Sequence, residues 1–413
     1  MRIATAQTFT AGIDQLQQRQ RDLARTQQQL TSGKRVERAS DDPGAAARAE
    51  RALASEVRGQ ASQRALETSR HAMTLTEGAL GEASELMQQA REAMVAAGNG
   101  SYSDAERAGA ADRLTALRQQ LLAVANRGDG DGGFLFAGQG GSQPPFVDAV
   151  GGVAFRGTAG AVNVASDEPL PRSVDGQAAW LASPSGNGLF ETRNASTAPN
   201  AGGTWIDAGH VRDLPAFYAA TSPPAVANPA ALTYRLDFTS TAAGSTYSIT
   251  KDGAATALTN VAYVSGQAIA IDGMEFDVQG LPAGGDAFEI RLATPSLGVF
   301  DTLDRAISEL KTPLRSNASV TQGVQQALSD LDGSMAALQS LRSQVGEVLN
   351  HADMVEGRIA AQSLSAQTER SNAEDLDMVQ ALSRFEAQQT GYQAALKSYA
   401  SVQRLSLFDF LNR

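Results

Sequence analysis

The chain has 413 residues, no cysteine, 19% charged residues and a formal net charge of −11. The acidic balance argues against a protein that binds nucleic acid or inserts into an anionic membrane surface, since both use clustered Lys and Arg. The lack of cysteine excludes disulfides, a thiolate nucleophile and a cysteine zinc site. No apolar run is long enough to span a membrane, and residues 1–13 lack the apolar core of a secretory signal. The sequence therefore predicts a cytosolic chain, or one exported by a route that reads no such signal.

Composition divides the chain into a helical frame and a central insertion. Twelve of the fourteen prolines fall between Pro144 and Pro295, and both tryptophans lie in the same window. The two ends are rich in Ala, Gln and Leu, which favour helix, whereas the middle favours turns and strands. The predicted fold class is α+β: long N- and C-terminal helices form a coiled-coil or helical-bundle frame that holds an inserted β-rich domain.

The first predicted element is a helix whose stripe residues are spaced alternately three and four apart. This spacing keeps a narrow stripe on one face and lets the helix supercoil with a partner. The stripe consists of Ile13, Leu16, Gln20, Leu23, Gln27 and Leu30. Because such a helix is marginal on its own in water, we expect it to need a partner.

Two further N-terminal helices carry start signals. Asp42 followed by Pro43 predicts an N-cap with proline in the first helical position. Ser103 and Glu106 form the pattern of a capping box. The glycine-rich residues 128–133 are predicted to end the second of these helices.

Alternating segments in the middle of the chain predict half-buried strands. They lie at residues 233–238, 245–250, 267–271, 274–278 and 287–292. Asp272 and Gly273 sit between two of these segments, and Asp-Gly is a strong signal for a tight hairpin. Residues 150–230 carry no pattern from which strands can be placed.

The C-terminal part predicts two more long helices. A heptad of mainly apolar residues runs from Val324 to Ile359 and continues through four glycines. The last stripe consists of Met378, Leu382, Phe385, Gln389, Tyr392, Leu396, Tyr399 and Gln403. Its three-and-four spacing matches that of the N-terminal stripe.

The candidate chemical sites all have simpler explanations, and the sequence predicts no enzyme, metal site or cofactor. A calcium loop from Asp129 would require Glu at its twelfth position, where Gly140 stands. A phosphate loop ending at Lys34 would require Gly at position 28, which is Gln. The acidic residues of the predicted strands are interpreted as turn residues or a solvated strand face: Asp272, Glu275, Asp277, Asp286 and Glu289.

Several motifs together resemble the flagellin superfamily, and within it the branch of hook–filament junction proteins. They are Leu-Thr-Ser-Gly-Lys-Arg-Val at residues 30–36, Ala-Ser-Asp-Asp-Pro-Gly at 39–44, Met-Arg-Ile-Ala-Thr at 1–5, Phe-Leu-Phe-Ala-Gly at 134–138, Pro-Pro-Phe at 144–146 and Leu-Ser-Leu-Phe-Asp-Phe-Leu at 405–411. The resemblance covers residues 1–147 and 296–413 and is weaker in between. Glu37 departs from the family, which usually has Asn there.

This resemblance implies a structural, non-enzymatic protein of the bacterial flagellum. It implies an inner coiled-coil domain from residues 1–42 and 373–413, a helical-bundle domain with a hairpin from 43–135 and 296–372, and a β-rich outer domain from 136–295. The implied function is to join the first hook-associated protein to the filament, as a ring of identical subunits, outside the cell after flagellar type III export. The implied partners are further copies of the chain, the first hook-associated protein, flagellin and an export chaperone. Filament flagellin and, in a different class, a cytosolic coiled-coil signalling adaptor are the alternatives.

The two terminal stripes are the candidate assembly interface. We hypothesise that they pair within and between subunits only in the growing ring, because each is marginal alone. The candidate interface residues are Ile13, Leu16, Leu23, Leu30, Leu382, Phe385, Tyr392, Leu396, Tyr399, Leu405 and Phe408.

Overall fold

The computed structural model describes residues 2–164, 168–195, 200–201, 203–222, 229–242, 244–295 and 297–411; for residues 2–9, 230 and 402–411 it describes the backbone alone. The chain forms two compact units, one of residues 1–64 with 354–413 and one of residues 65–353. The first unit joins the two ends of the chain. The three-domain division from the sequence remains a prediction, and its boundaries differ from those of these two units.

Long helices make up both ends of the chain, which confirms the predicted fold class. The helices are α1 (Arg2–Ser32), α2 (Pro43–Ala97), α3 (Asp104–Ala125), α4 (Gly176–Leu181), α5 (Leu214–Thr221), α6 (Val299–Lys311), α7 (Asn317–Glu374) and α8 (Met378–Leu411). A short 3₁₀ turn occupies Pro229–Ala231. Helix α7 runs unbroken through the four glycines of the predicted heptad.

The predicted helix starts are confirmed. Asp42 Oδ1 accepts the N–H of Ala45 at 3.0 Å, and this bond, aided by Arg35, lowers the pKa of the Asp42 carboxyl. Ser103 and Glu106 form the reciprocal capping box. Helix α3 ends at Ala125 with Asn126 as its C-cap, so it stops just before the glycine-rich segment.

Antiparallel strands form the inserted domain, and all five predicted strands are present. The strands are β1 (Phe146–Ala149), β2 (Gly152–Phe155), β3 (Phe190–Asn194), β4 (Trp205–Ile206), β5 (His210–Val211), β6 (Thr233–Thr241), β7 (Gly244–Lys251), β8 (Ala254–Ala255), β9 (Val261–Ala262), β10 (Ala268–Ile271), β11 (Met274–Gln279) and β12 (Ala287–Leu292). The larger sheet has the order β3-β12-β6-β7-β8 with β9 also on β7, and a second sheet has the order β10-β11-β4 with β5 also on β11. Asp272 and Gly273 connect β10 to β11 with φ of 48° and 81°, the left-handed pair that a two-residue hairpin requires.

Two separate apolar clusters stabilise the unit of residues 65–353. The helical cluster includes Leu80, Met87, Leu114, Phe136, Trp180 and Phe300. The rings of Trp180 and Phe300 stack at 5.8 Å, and Phe136 meets Trp180 edge-on. The outer cluster fills the part of the chain from residue 184 to residue 295, with strands β3 to β12, which we call the β domain; strands β1 and β2 contribute to the helical cluster instead. The outer cluster includes Phe190, Phe217, Leu236, Phe276, Phe288 and Ile290.

The prediction that the acidic residues line a solvated strand face is wrong for two of them. Asp286 and Glu289 are buried. Asp286 accepts hydrogen bonds from Ala201 N–H, Ala283 N–H and the Thr204 hydroxyl, and Glu289 pairs with Arg193 and Arg291. Burial is tolerated because these partners satisfy the carboxylate oxygens.

Candidate assembly interface

Helices α1 and α8 pack against each other within one chain. Thr26 Oγ1 donates to Gln388 Oε1 at 2.8 Å. Toward the other end of α1, a Cβ on Gly12 would lie 3.5 Å from the ring of Tyr399. Residue numbers rise along α1 as they fall along α8, so the pair is antiparallel. The two terminal helices therefore lie side by side within one chain, and the assembly role of their stripe residues stays a prediction.

The faces that meet are rotated slightly from the predicted stripes. Among the described side chains, the half-buried or buried positions on α1 are Gly12, Leu16, Leu23, Thr26, Gln29 and Leu30; on α8 they are Ala381, Phe385, Gln388, Gly391, Tyr392, Ala395 and Tyr399. Apart from Gln29 and Gly391, both sets again advance in steps of three and four, with the seven residues from Leu16 to Leu23 as one double step. Each set keeps three members of its predicted stripe. At Gly12, Thr26, Ala381, Gln388 and Ala395 the less exposed position is the residue just before a predicted one.

This rotation leaves an apolar flank beside the seam, which consists of Ile13, Leu382 and Leu396. Their exposed fractions are 43%, 52% and 42%. Val379, one turn before Leu382, is also exposed. The remaining candidates, Leu16, Leu23, Leu30, Phe385, Tyr392 and Tyr399, are half-buried in or beside the seam. The side chains of Leu405 and Phe408 lie outside the described residues.

A set of polar contacts, here called the clamp, joins the segment that follows α1 to the segment that precedes α8. Arg35 N–H donates to the Glu374 carbonyl at 2.7 Å, and Leu376 N–H donates to the Gly33 carbonyl at 2.9 Å. Arg35 also donates from Nη2 to the Ala373 carbonyl at 2.7 Å. Lys34 pairs with Glu374 at 3.2 Å. The Ser-Gly-Lys-Arg motif thus ties the connection between α1 and α2 to the connection between α7 and α8.

The clamp also uses the acidic residues that follow it. Arg35 pairs with Asp42 at 3.2 Å, and Arg25 pairs with Asp41 at 3.1 Å. Asp41 Oδ2 accepts the N–H of Arg38 at 3.0 Å. Gln28 donates to Glu37, the position that departs from the family motif. These bonds close the connection between α1 and α2 into a compact turn.

The interface is built from helix faces and main-chain contacts. Across the described ranges, no group of three or more His, Cys, Asp or Glu residues is placed to hold a metal ion. Within the same part of the chain, no helix has the length and apolarity needed to cross a membrane. What the geometry can do is bury helix faces against other helices.

Comparisons with known proteins agree with this architecture. Residues 3–140 match the bacterial flagellin N-terminal helical region, and residues 328–411 match the bacterial flagellin C-terminal helical region. The chain belongs to the flagellin superfamily. Together the two matches cover both ends of the chain, whose terminal helices α1 and α8 pair in the structure.

The relatives identify the branch. The flagellar hook-associated protein 3 of Salmonella typhimurium is 23% identical, with 100% of each chain covered. That of Escherichia coli K12 is 24% identical, with 99% of each chain covered. The crystal structure of flagellar hook-associated protein 3 from Legionella pneumophila aligns with a TM-score of 0.67 and 26% identity, covering 74% of this chain and 93% of that chain.

These matches confirm the resemblance to the hook–filament junction branch of the superfamily. The role of the chain is structural, at the hook–filament junction of the flagellum, and the two alternatives are not supported. Its association with other flagellar components and its location on the flagellum, exposed outside the cell, follow from the same family.

Proposed function

We propose that the chain assembles into a ring of identical subunits at the hook–filament junction, with the apolar flank of Ile13, Leu382 and Leu396 as a contact between neighbours. The single observation that carries this proposal is the rotation of the α1–α8 seam. One chain buries one face of each terminal helix and leaves leucine and isoleucine side chains exposed beside it. Burying such side chains against a neighbour contributes favourable free energy at about 25 cal/mol per Å² of apolar surface.

The remaining partners follow from the position of such a ring. One face of it contacts the first hook-associated protein, and the other contacts flagellin. The chain reaches this site through the flagellar type III apparatus, with a cytosolic chaperone on its C-terminal helices before export. An exported chain without cysteine has no disulfide to form after passage, which suits this route. We propose no catalytic activity, and no cofactor.

Truncation of seam and flank leucines tests the assembly role. We expect Leu396→Ala, on the flank, and Leu23→Ala, in the seam, to weaken junction assembly, since truncating a leucine that is buried in the assembled state costs roughly 2–5 kcal/mol. The helical cluster of residues 65–353 should stay folded, because neither leucine belongs to it. The measurement is the number of filaments per cell by electron microscopy, with the variant as the sole copy.

The matched control is Lys397→Ala, one residue after Leu396 on the same helix and off the predicted stripe. It should leave filament number unchanged. Circular dichroism and the elution volume of each purified monomer establish that the variants fold. Wild-type filament number in Leu396→Ala cells would show that the flank is not an interface.

A further inference from the structure

The β domain and the helical part of residues 65–353 have separate cores. No described residue belongs to both the helical and the outer apolar clusters. Where the chain enters and leaves the β domain, Ser183 and Leu297 exchange two backbone hydrogen bonds of 3.0 Å. Something other than a shared apolar core must therefore fix the angle between the two parts.

One face of α7 supplies three polar contacts to the β domain. Gln322, Gln326 and Asp330 are four residues apart and so lie above one another on the helix. Each binds a main-chain group of a different segment. Gln322 Oε1 accepts the N–H of Ile206 in β4 at 2.6 Å, Gln326 Nε2 donates to the carbonyl of Thr192 in β3 at 2.8 Å, and Asp330 Oδ1 accepts the N–H of Gly186 at 3.0 Å.

Gly333 continues the same face and allows close approach. A Cβ at this position would lie 2.8 Å from the carbonyl oxygen of Pro184, which is closer than real Cβ contacts come. Gly346, in the same helix, would place its Cβ in open space. A glycine weakens a helix interior. At position 333 glycine is explained by the close packing of residues 183–186, which leaves no room for a side chain.

These polar contacts border a cleft of about 390 Å³, which is also lined by Ile206 of the outer cluster and by Ala306 and Ala327 of the helical cluster. Gln322 is buried at its edge, and its Nε2 has no hydrogen-bond partner among the described residues. Arg305 approaches Asp330 at 3.8 Å, while burial raises the pKa of the Asp330 carboxyl. Few large apolar side chains line this cleft, so the polar contacts supply much of what holds the two parts together here.

We propose that Gln322, Gln326 and Asp330, with Gly333, form a latch that positions the β domain on α7. The latch holds the domain through hydrogen bonds to its main chain. When these bonds break, the whole β domain can change its angle to α7 as one rigid body. The three side chains are positioning residues of the subunit, and their effect is on domain orientation rather than on the folding of either part. This inference does not depend on the ring proposal.

Spin-label distance measurements test the latch directly. The chain has no cysteine, so labels can be placed at Val264→Cys in the β domain and Val95→Cys on α2, both exposed positions. The latch variant is the triple substitution Gln322→Met, Gln326→Met and Asp330→Leu, which removes the polar groups and keeps similar side-chain volume. We expect one narrow distance distribution for the parent and a broader distribution with a second population for the latch variant. Hydrogen-exchange protection of β11 and α3 should stay the same in both.

Two controls keep the result decisive. Gln339→Met, at an exposed position of α7, should give the parent distribution. Gly333→Ala should broaden the distribution by pushing residues 183–186 away, whereas Gly346→Ala should not, and this pair reports on the latch even if the triple variant does not fold. A distribution equal to that of the parent in a folded triple variant, or in Gly333→Ala, overturns the proposal.

Discussion

The turn at Asp272 and Gly273 shows how one residue pair can link several parts of the outer domain. Asp272 Oδ2 accepts hydrogen bonds from the Tyr234 hydroxyl at 2.6 Å and from Lys251 Nζ at 2.8 Å. The Gly273 carbonyl accepts the N–H groups of Arg212 and Asp213. The turn therefore holds strands β6 and β7 on one side and the start of α5 on the other.

Gly273 is predicted to be far less tolerant of alanine than Gly253, although both have nearly the same backbone. Their φ angles are 81° and 78°, so alanine at either position costs about 1 kcal/mol in backbone strain. At Gly273 the added Cβ would also lie 2.3 Å from the Asp213 carbonyl oxygen, while at Gly253 nothing lies within 4 Å. We expect Gly273→Ala to lower the free energy of unfolding of the β domain by about 2 kcal/mol more than Gly253→Ala.

Urea unfolding, followed by hydrogen exchange of β10 and β11, measures this difference. Gly253→Ala is the control for the backbone term alone. Equal losses in the two variants would mean that the approach of α5 to the turn is not maintained in solution.

At the scale of elements, the heptad pattern predicts much of the helical frame and half of each seam. Leu16, Leu23, Leu30, Phe385, Tyr392 and Tyr399 lie in or beside the seam as expected. The other half could not be predicted, because Gly12, Thr26, Ala381, Gln388 and Ala395 give no apolar signal. Their small size or mutual hydrogen bonding favours close packing only once a partner helix is present.

The elements of residues 150–230 show a different limit. Strands β4 and β5 are two residues long and exist because they pair with β11. A two-residue strand has no periodicity to detect. The burial of Asp286 could not be predicted from the sequence either, because hydrogen bonds from residues 201, 204 and 283 make it possible and no local pattern indicates them. Tertiary pairing, rather than local preference, decides these positions.

Helices α1 and α8 are expected to exchange amide hydrogens readily in the soluble monomer, even though they pack together. Most residues of their described seam are only half-buried, and Thr26 with Gln388 forms a polar contact within it. Paired helices with so little apolar burial open at low free energy. We expect weak protection of residues 10–32 in the monomer and strong protection after assembly. Residues 104–125 of α3, which belong to the helical cluster, are the internal control. Strong protection of residues 10–32 in the monomer would contradict assembly-dependent pairing.

At the scale of the whole molecule, two separate apolar cores imply that pH can change the stability of one part without changing that of the other. Asp207 lies in the β domain, where its Oδ1 accepts the N–H groups of Gly209 and Asp277. Burial, together with the neighbouring Asp277, raises the pKa of the Asp207 carboxyl from its ordinary 3.8 to about 6. The helical cluster contains neither of these carboxyls. Stability of the two parts should therefore respond differently to mild acid.

The sign of the effect follows from linkage. A carboxyl whose pKa is raised by folding contributes stability that is fully present below pH 3.8 and is lost as the pH rises through about 6. The pKa of Asp272 in the same domain is lowered instead, so its contribution is lost only below its ordinary value of 3.8. Between about pH 4 and pH 6.5 Asp207 is thus the group expected to set the slope for the β domain.

Replacing Asp207 by Asn is predicted to stabilise the β domain at pH 7.5 and to flatten its pH dependence. Asparagine keeps an oxygen that accepts the two N–H groups but carries no charge beside Asp277. A pKa of about 6 corresponds to at most about 3 kcal/mol, and partial solvent access reduces the expected gain to about 1–2 kcal/mol. Urea unfolding at pH 4.5, 6 and 7.5, read by hydrogen exchange of β11 and of α3, measures the stability of both parts in one sample.

Asp112→Asn, at an exposed position on α3, is the control and should leave the pH dependence of the β domain's stability unchanged. If Asp207→Asn kept the wild-type slope, the carboxyl pair would not be the titrating site, and if α3 lost protection in step with β11, the two cores would unfold as one.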